Sequence, residues 1–184
     1  MSTPLDTIII GAGTAGLAAL REVRKSTDRF LIVNEGPWGT TCARVGCMPS
    51  KALIEAANAF HRRKNFQEFG IRGADGLTAD IPAVLQRIRA LRDDFVAGAL
   101  EATDGLSDHH RISGRASLVG PQTVEIDGTR FATRSIIIAT GSRPTVPDEW
   151  LAFGDRILTT DTLFEQPTLG PRIAVIGMGP LGVE

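Results

Sequence analysis

The 184 residues carry 20 basic and 21 acidic side chains, a formal net charge of −1. With no basic run, this excludes a nucleic-acid surface built on excess positive charge. At 42% apolar the chain can bury a core, yet no apolar stretch is long enough to span a bilayer, so no membrane partner is expected. Two cysteines do not make a disulfide-stapled secreted scaffold, and the first residues lack the charged n-region of a secretory signal, so a cytoplasmic location is expected.

Residues 7–10, Thr-Ile-Ile-Ile, read as a short buried strand. They run into Gly11-x-Gly13-x-x-Gly16 and then into good helix formers over 17–23. A second apolar strand follows at 30–33 and ends in Asn34-Glu35. Strand, glycine turn, helix and strand make a βαβ unit, and its crossover predicts a parallel sheet. Residues 50–65 have helical character. Ile81, Val84, Leu85, Ile88, Leu91, Phe95, Val96 and Leu100 recur mostly at steps of three and four, which predicts an amphipathic helix over 81–103.

Residues 111–138 change character. Strands are predicted over 111–119, 123–126 and 131–138, with turns at Gly120-Pro121 and Asp127-Gly128: a β-meander. The last strand leads into a tight turn at Thr140-Gly141, and two prolines make 142–147 a boundary. A further strand over 172–176 feeds a second glycine turn, Gly177-x-Gly179-x-x-Gly182, where Pro180 suits a first helical turn. The expected fold class is therefore α/β: a Rossmann-like domain over 1–147, then, over 148–184, a linker and the truncated start of a second dinucleotide-binding domain. The helix that should cover that strand is missing, so the chain reads as the N-terminal piece of a longer protein.

The first glycine turn has the dinucleotide-binding spacing. Gly11 permits the tight turn, Gly13 lets a pyrophosphate approach the backbone, and Gly16 lets helix pack on strand. The helix N-terminus offers free N–H groups to the phosphates, and Glu35 stands where an acid can hydrogen-bond a ribose. Gly177, Gly179 and Gly182 repeat the spacing. The ribose-reading residue of that second turn would lie beyond Glu184, so NAD and NADP are not separated.

Cys42 and Cys47 are the only cysteines, with four residues between them. In one regular helix their Cα atoms would be about 7.5 Å apart in rise alone, beyond the roughly 4.4–6.8 Å that a disulfide spans. A bridge therefore needs an irregular loop, which Gly46 can supply. Pro49 reads as the first residue of a helix, which puts Cys47 near a helix N-terminus where the dipole favours a thiolate. Lys51 adds a positive charge four residues on. Structural zinc is disfavoured, because His61, His109 and His110 show no ligand spacing to the pair. On these residues alone, a redox pair and two ordinary buried thiols both stand.

The stretch Gly39-Thr40-Thr41-Cys42, four residues, then Cys47-Met48-Pro49-Ser50-Lys51 closely resembles the redox signature of the class I pyridine nucleotide-disulfide oxidoreductases, dihydrolipoamide dehydrogenase-like. The first glycine turn with Glu35, residues 137–141, and the second turn with Glu184 agree in order and spacing, so the resemblance covers the whole chain. It departs at Thr40, where the family usually has a second glycine.

The resemblance implies FAD on the first domain. Gly11, Gly13 and Gly16 would receive its pyrophosphate and Glu35 its adenosine ribose. Thr41, Ala116 in the adenine-reading segment, Thr140 and Gly141 would line it. Gly177, Gly179 and Gly182 would receive NAD or NADP. Cys47 is implied as the charge-transfer thiol and Cys42 as the interchange thiol. Lys51 would sit near the flavin, paired with Glu184. The implied activity is a two-electron relay between NAD(P)(H), FAD, a Cys42–Cys47 disulfide and an external disulfide or dithiol, a role in cell redox homeostasis. Other acceptors, a glutathione-type disulfide or mercuric ion, and a non-catalytic nucleotide-binding module are the alternatives. The full-length protein is implied to be a homodimer, whose partner subunit brings a histidine–glutamate pair to Cys42. This chain alone is expected to be inactive.

Overall fold

The computed structural model describes residues 3–184. The chain forms two compact units. One runs up to Thr41 and resumes over Val96–Arg143; the other comprises Cys42–Phe95 and Pro144–Glu184.

The first unit is built on a six-stranded sheet. Its strands are β1 (Leu5–Ile10), β2 (Phe30–Asn34), β3 (Arg111–Ser113), β4 (Ala116–Gly120), β5 (Thr123–Ile126) and β6 (Thr129–Ile138), in the order β3-β2-β1-β6-β5-β4. β1 pairs in parallel with β2 and β6, and β3 in parallel with β2, while β4, β5 and β6 form an antiparallel meander. The sheet is thus mixed and α/β, as the βαβ pattern and the meander predict.

Both faces of β1 and β2 are buried, so these strands are continuous apolar runs rather than alternating ones. Ile9, Phe30 and Ile32 face a cluster with Leu17 and Leu20 of helix α1 (Thr14–Val23). Ile8, Leu31 and Val33 turn the other way, onto Val124 and Ile126 of the meander. Each fully buried leucine or isoleucine in such a cluster contributes about 1.5–3 kcal/mol over its exposed state. At the start of β1, Asp6 accepts hydrogen bonds from Thr27 and Arg29 and fixes the approach to β2.

The second unit contains α2 (Thr41–Arg44, whose first residue still belongs to the first unit), α3 (Cys47–His61), most of α4 (Ile81–Leu100), α5 (Thr160–Leu163) and α6 (Pro180–Val183). A 3-10 segment, Arg62–Phe69, continues α3. Arg89 of α4 donates to the carbonyls of Phe164 and Gln166, and Arg92 pairs with Glu165, so α4 holds the C-terminal end of α5.

Three expectations are corrected. The strand predicted over 111–119 is two: it breaks at Gly114-Arg115, where β3 ends against β2 and β4 begins against β5. A Cβ at Gly114 would come within 2.3 Å of Asp127 Oδ2, so the Asp127 carboxylate packs close over the corner. The helix expected from residue 50 begins at Cys47, so Pro49 lies third in it rather than first. It is tolerated there because first-turn N–H groups have no intrahelical acceptor. Finally, residues 172–176 form no strand. Among the described residues no strand pairs with them, and Ile173, Val175 and Ile176 stay exposed.

Candidate functional site

In the first unit the glycine turn is shaped by close approaches. Gly11 has φ +106°, and a Cβ there would lie 2.2 Å from the carbonyl oxygen of Ala139, at the end of β6. A Cβ at Gly16 would lie 1.8 Å from the carbonyl oxygen of Gly11. These two glycines let α1 and β6 close on the turn. Gly13 differs: a Cβ there meets nothing within 4 Å, and as the N-cap of α1 it supplies no side-chain hydrogen bond. Open space where a Gly13 Cβ would lie, at a helix N-terminus that no side chain caps, fits a pyrophosphate.

Thr140 and Gly141 are exposed immediately after β6, and Glu35 is exposed immediately after β2. Ala116 opens β4, paired with Ile126. The sequence reading missed Asn34. Its Oδ1 accepts the Ala12 N–H at 3.0 Å, and its Nδ2 donates to the carbonyls of Gly36 and Pro37, so one amide joins the glycine turn to the loop carrying Glu35. An amide side chain one residue before the strand-end acid was the available signal. Trp38 was missed as well. Its Nε1 donates to Ser113 Oγ at 2.8 Å, and the Arg111 guanidinium stacks on its ring.

In the second unit the cysteines occupy two helices. Cys42 lies in α2 and Cys47 is the first residue of α3; Gly46, the N-cap between, has φ −121° and ψ −116°, outside regular helix geometry. The break removes the separation a single helix would impose. Both are free thiols, Cys47 the more exposed. The nearness of Cys47 holds Cys42 above the ordinary cysteine value, through hydrogen bonding first, then burial and charge repulsion. The Cys47 backbone N–H and the charge of Lys51 act the other way.

Lys51 Nζ and Ser50 Oγ both donate to Glu184 Oε1. The contact with Glu184 raises Lys51 above its ordinary value, and Lys51 first, then Ser50, hold Glu184 below its own. Gly39, before the pair, has φ +111°, whereas Thr40 needs no left-handed backbone, so losing the family's second glycine costs no backbone strain there. Thr41 is exposed at the start of α2. Gly177 and Gly179 form the turn that leads into α6, and Gly182, inside that helix, lies against the Gly177 carbonyl.

The family model for pyridine nucleotide-disulphide oxidoreductases matches residues 5–184. The chain belongs to this family. Its relatives include the dihydrolipoyl dehydrogenases of Chlamydia pneumoniae, 35% identical over the whole chain and 40% of that protein, and of Thermus scotoductus, 32% identical over 97% of the chain and 38% of that protein. A glutathione reductase of Burkholderia cepacia is 30% identical over 97% of the chain and 39% of that protein. The chain thus spans about 40% of the length of these relatives. Among solved structures, the HOCl-induced flavoprotein disulfide reductase RclA of Escherichia coli, in its Cu(II) complex, shares the fold at TM-score 0.69 and 18% identity, over 88% of this chain and 34% of that one. No helix among the described residues is long and apolar enough to cross a membrane.

Proposed function

We propose that the chain is the flavin-side portion of an FAD-dependent disulfide oxidoreductase of dihydrolipoamide dehydrogenase type. In this reading residues 1–147 bind FAD and 148–184 begin the nicotinamide domain. The observation that carries it is the break at Gly46, which puts the chain's two thiols on separate helices, Cys47 as the first residue of α3, the helix on which Lys51 meets Glu184.

The chemistry of the pair follows from its surroundings. The thiolate of Cys42 attacks one sulfur of an external disulfide, whose S–S bond breaks; the departing thiolate takes a proton. The thiolate of Cys47 then attacks the Cys42 sulfur of the mixed disulfide, forms the Cys42–Cys47 bond and releases the second thiol. The external disulfide gains two electrons and the pair loses two; a dithiol substrate runs the exchange in reverse. Cys42 tends to keep its proton, which suits removal by the histidine–glutamate pair that the family resemblance assigns to the partner subunit of a full-length homodimer.

Gly11, Gly13, Gly16, Glu35, Thr41, Ala116, Thr140 and Gly141 would hold FAD, which when bound supplies hydride chemistry between nicotinamide and thiols. Gly177, Gly179 and Gly182 would hold NAD or NADP. Dihydrolipoamide is the first substrate class and a glutathione-type disulfide the second, following the relatives of those names. The cytoplasm is the fitting compartment, since it keeps such a pair in exchange with a reducing pool.

The test is the intact mass of the air-exposed chain after denaturing alkylation, with and without prior reductant. Neither thiol alkylates before reduction and both alkylate after it, with no intermolecular species. Two freely alkylating thiols after mild oxidant would overturn the redox reading in favour of a nucleotide-binding module.

A further inference from the structure

Ser50 stands between the redox pair and its charged neighbours. Its Oγ lies 3.0 Å from the carbonyl oxygen of Cys47 and 2.6 Å from Glu184 Oε1. A hydroxyl has one proton, so it serves one acceptor at a time. The carboxylate is the shorter contact and the charge-assisted one, hence the stronger. Glu184 Oε1 therefore receives Lys51 and Ser50 together. The charged and titratable groups around the pair are Cys42 on α2, Cys47 and Lys51 on α3, and Glu184 after α6.

Lys51 is contested. Its ammonium pairs with Glu184, and on α3 it stands four residues after Cys47, on the same face of the helix as that thiol. Its side chain is 61% exposed, so packing does not choose between these partners. The second hydrogen bond, from Ser50, tips the balance by fixing the carboxylate on the first turn of α3. We propose that Ser50 is a positioning residue that latches Glu184 onto Lys51 and so withholds the lysine's charge from the Cys42–Cys47 thiolates. This deepens the redox reading above and rests on it for its meaning in turnover. Whatever unlatches Glu184 frees Lys51 to stabilise a thiolate, and the pair becomes reactive at lower pH.

The experiment is the pH profile of iodoacetamide alkylation of the reduced chain, read site by site by mass spectrometry. Ser50→Ala moves the thiol midpoint down by roughly 0.2–0.7 pH unit, the scale of one exposed ion pair. Ser50→Thr, which keeps the hydroxyl, restores the original profile. Glu184→Gln lowers the midpoint by itself, and Ser50→Ala adds nothing in that background. An unchanged or raised midpoint in Ser50→Ala overturns the proposal. So does a Ser50→Thr variant that behaves like alanine, or a Ser50→Ala shift that persists with Glu184→Gln. The assay uses reduced thiols only, so a chain that never forms the disulfide fails the redox reading while leaving this result readable.

Discussion

The two glycine turns of the chain have nearly the same backbone and different settings. Gly11 and Gly177 have φ +106° and +109°. Gly13 and Gly179 are both extended N-caps with open space where a Cβ would be, and a Cβ on Gly16 or Gly182 would strike the carbonyl of Gly11 or Gly177 at 1.8 or 2.1 Å. Yet a Cβ on Gly11 would also strike Ala139, and Gly11 is preceded by a strand paired on both sides, while a Cβ on Gly177 would meet nothing within 4 Å and Gly177 follows an exposed segment that forms no strand. The shape of such a turn is thus written in its own six residues. Its contribution to stability comes from the sheet around it.

The largest effect that can break this comparison is a pair of alanine substitutions. Gly16→Ala pushes α1 off β1 and lowers unfolding free energy by about 3 kcal/mol or more, seen in urea melts. Gly182→Ala makes the same clash inside an exposed four-residue helix and moves the global transition by less than about 0.5 kcal/mol. Equal losses would mean that the second turn belongs to the folded core.

A smaller change sharpens the functional side. Gly13→Ala meets no atom and leaves stability within about 0.5 kcal/mol, but its methyl group occupies the approach to the α1 N-terminus. Flavin affinity falls by roughly tenfold, about 1.4 kcal/mol, measured by titrating FAD into the full-length protein. Unchanged affinity would mean that the pyrophosphate does not sit there.

The smallest effect is one of pH at the second turn. Glu184 is held below its ordinary value of 4.5 and Lys51 above its ordinary 10.5. Their contact is therefore fully present between those limits. It is lost as pH falls below 4.5 through the depressed value of Glu184, and again as pH rises through the raised value of Lys51. The carboxyl carbon shift of Glu184 reports the acid limb, while the unfolding midpoint barely follows, since exposed pairs stabilise little. A titration at the ordinary value would show that the contact does not persist in solution.

Much of the first unit was legible because it is local. The apolar run of β1, the spacing of Gly11, Gly13 and Gly16, and β2 are each set by neighbours in sequence. What escaped depends on partners far along the chain. The break at Gly114-Arg115 is fastened by Asp127 across the corner, which exchanges hydrogen bonds with Arg115, and residues 172–176 have strand propensity but pair with no strand among the described residues. At the redox pair, Cys42, Cys47, Lys51 and Glu184 were singled out from the sequence motif. Ser50 stood inside that motif without a role, because its meaning lies in an acceptor at position 184.

The place of β1 in the sheet bears on how the chain is made. One flank, β2, emerges from the ribosome soon after β1, but the other, β6, is synthesised more than a hundred residues later. At roughly 5–20 residues per second, the apolar edge of β1 waits many seconds for its second neighbour. During that interval the nascent chain presents a short, unpaired apolar strand edge, on which another chain could pair.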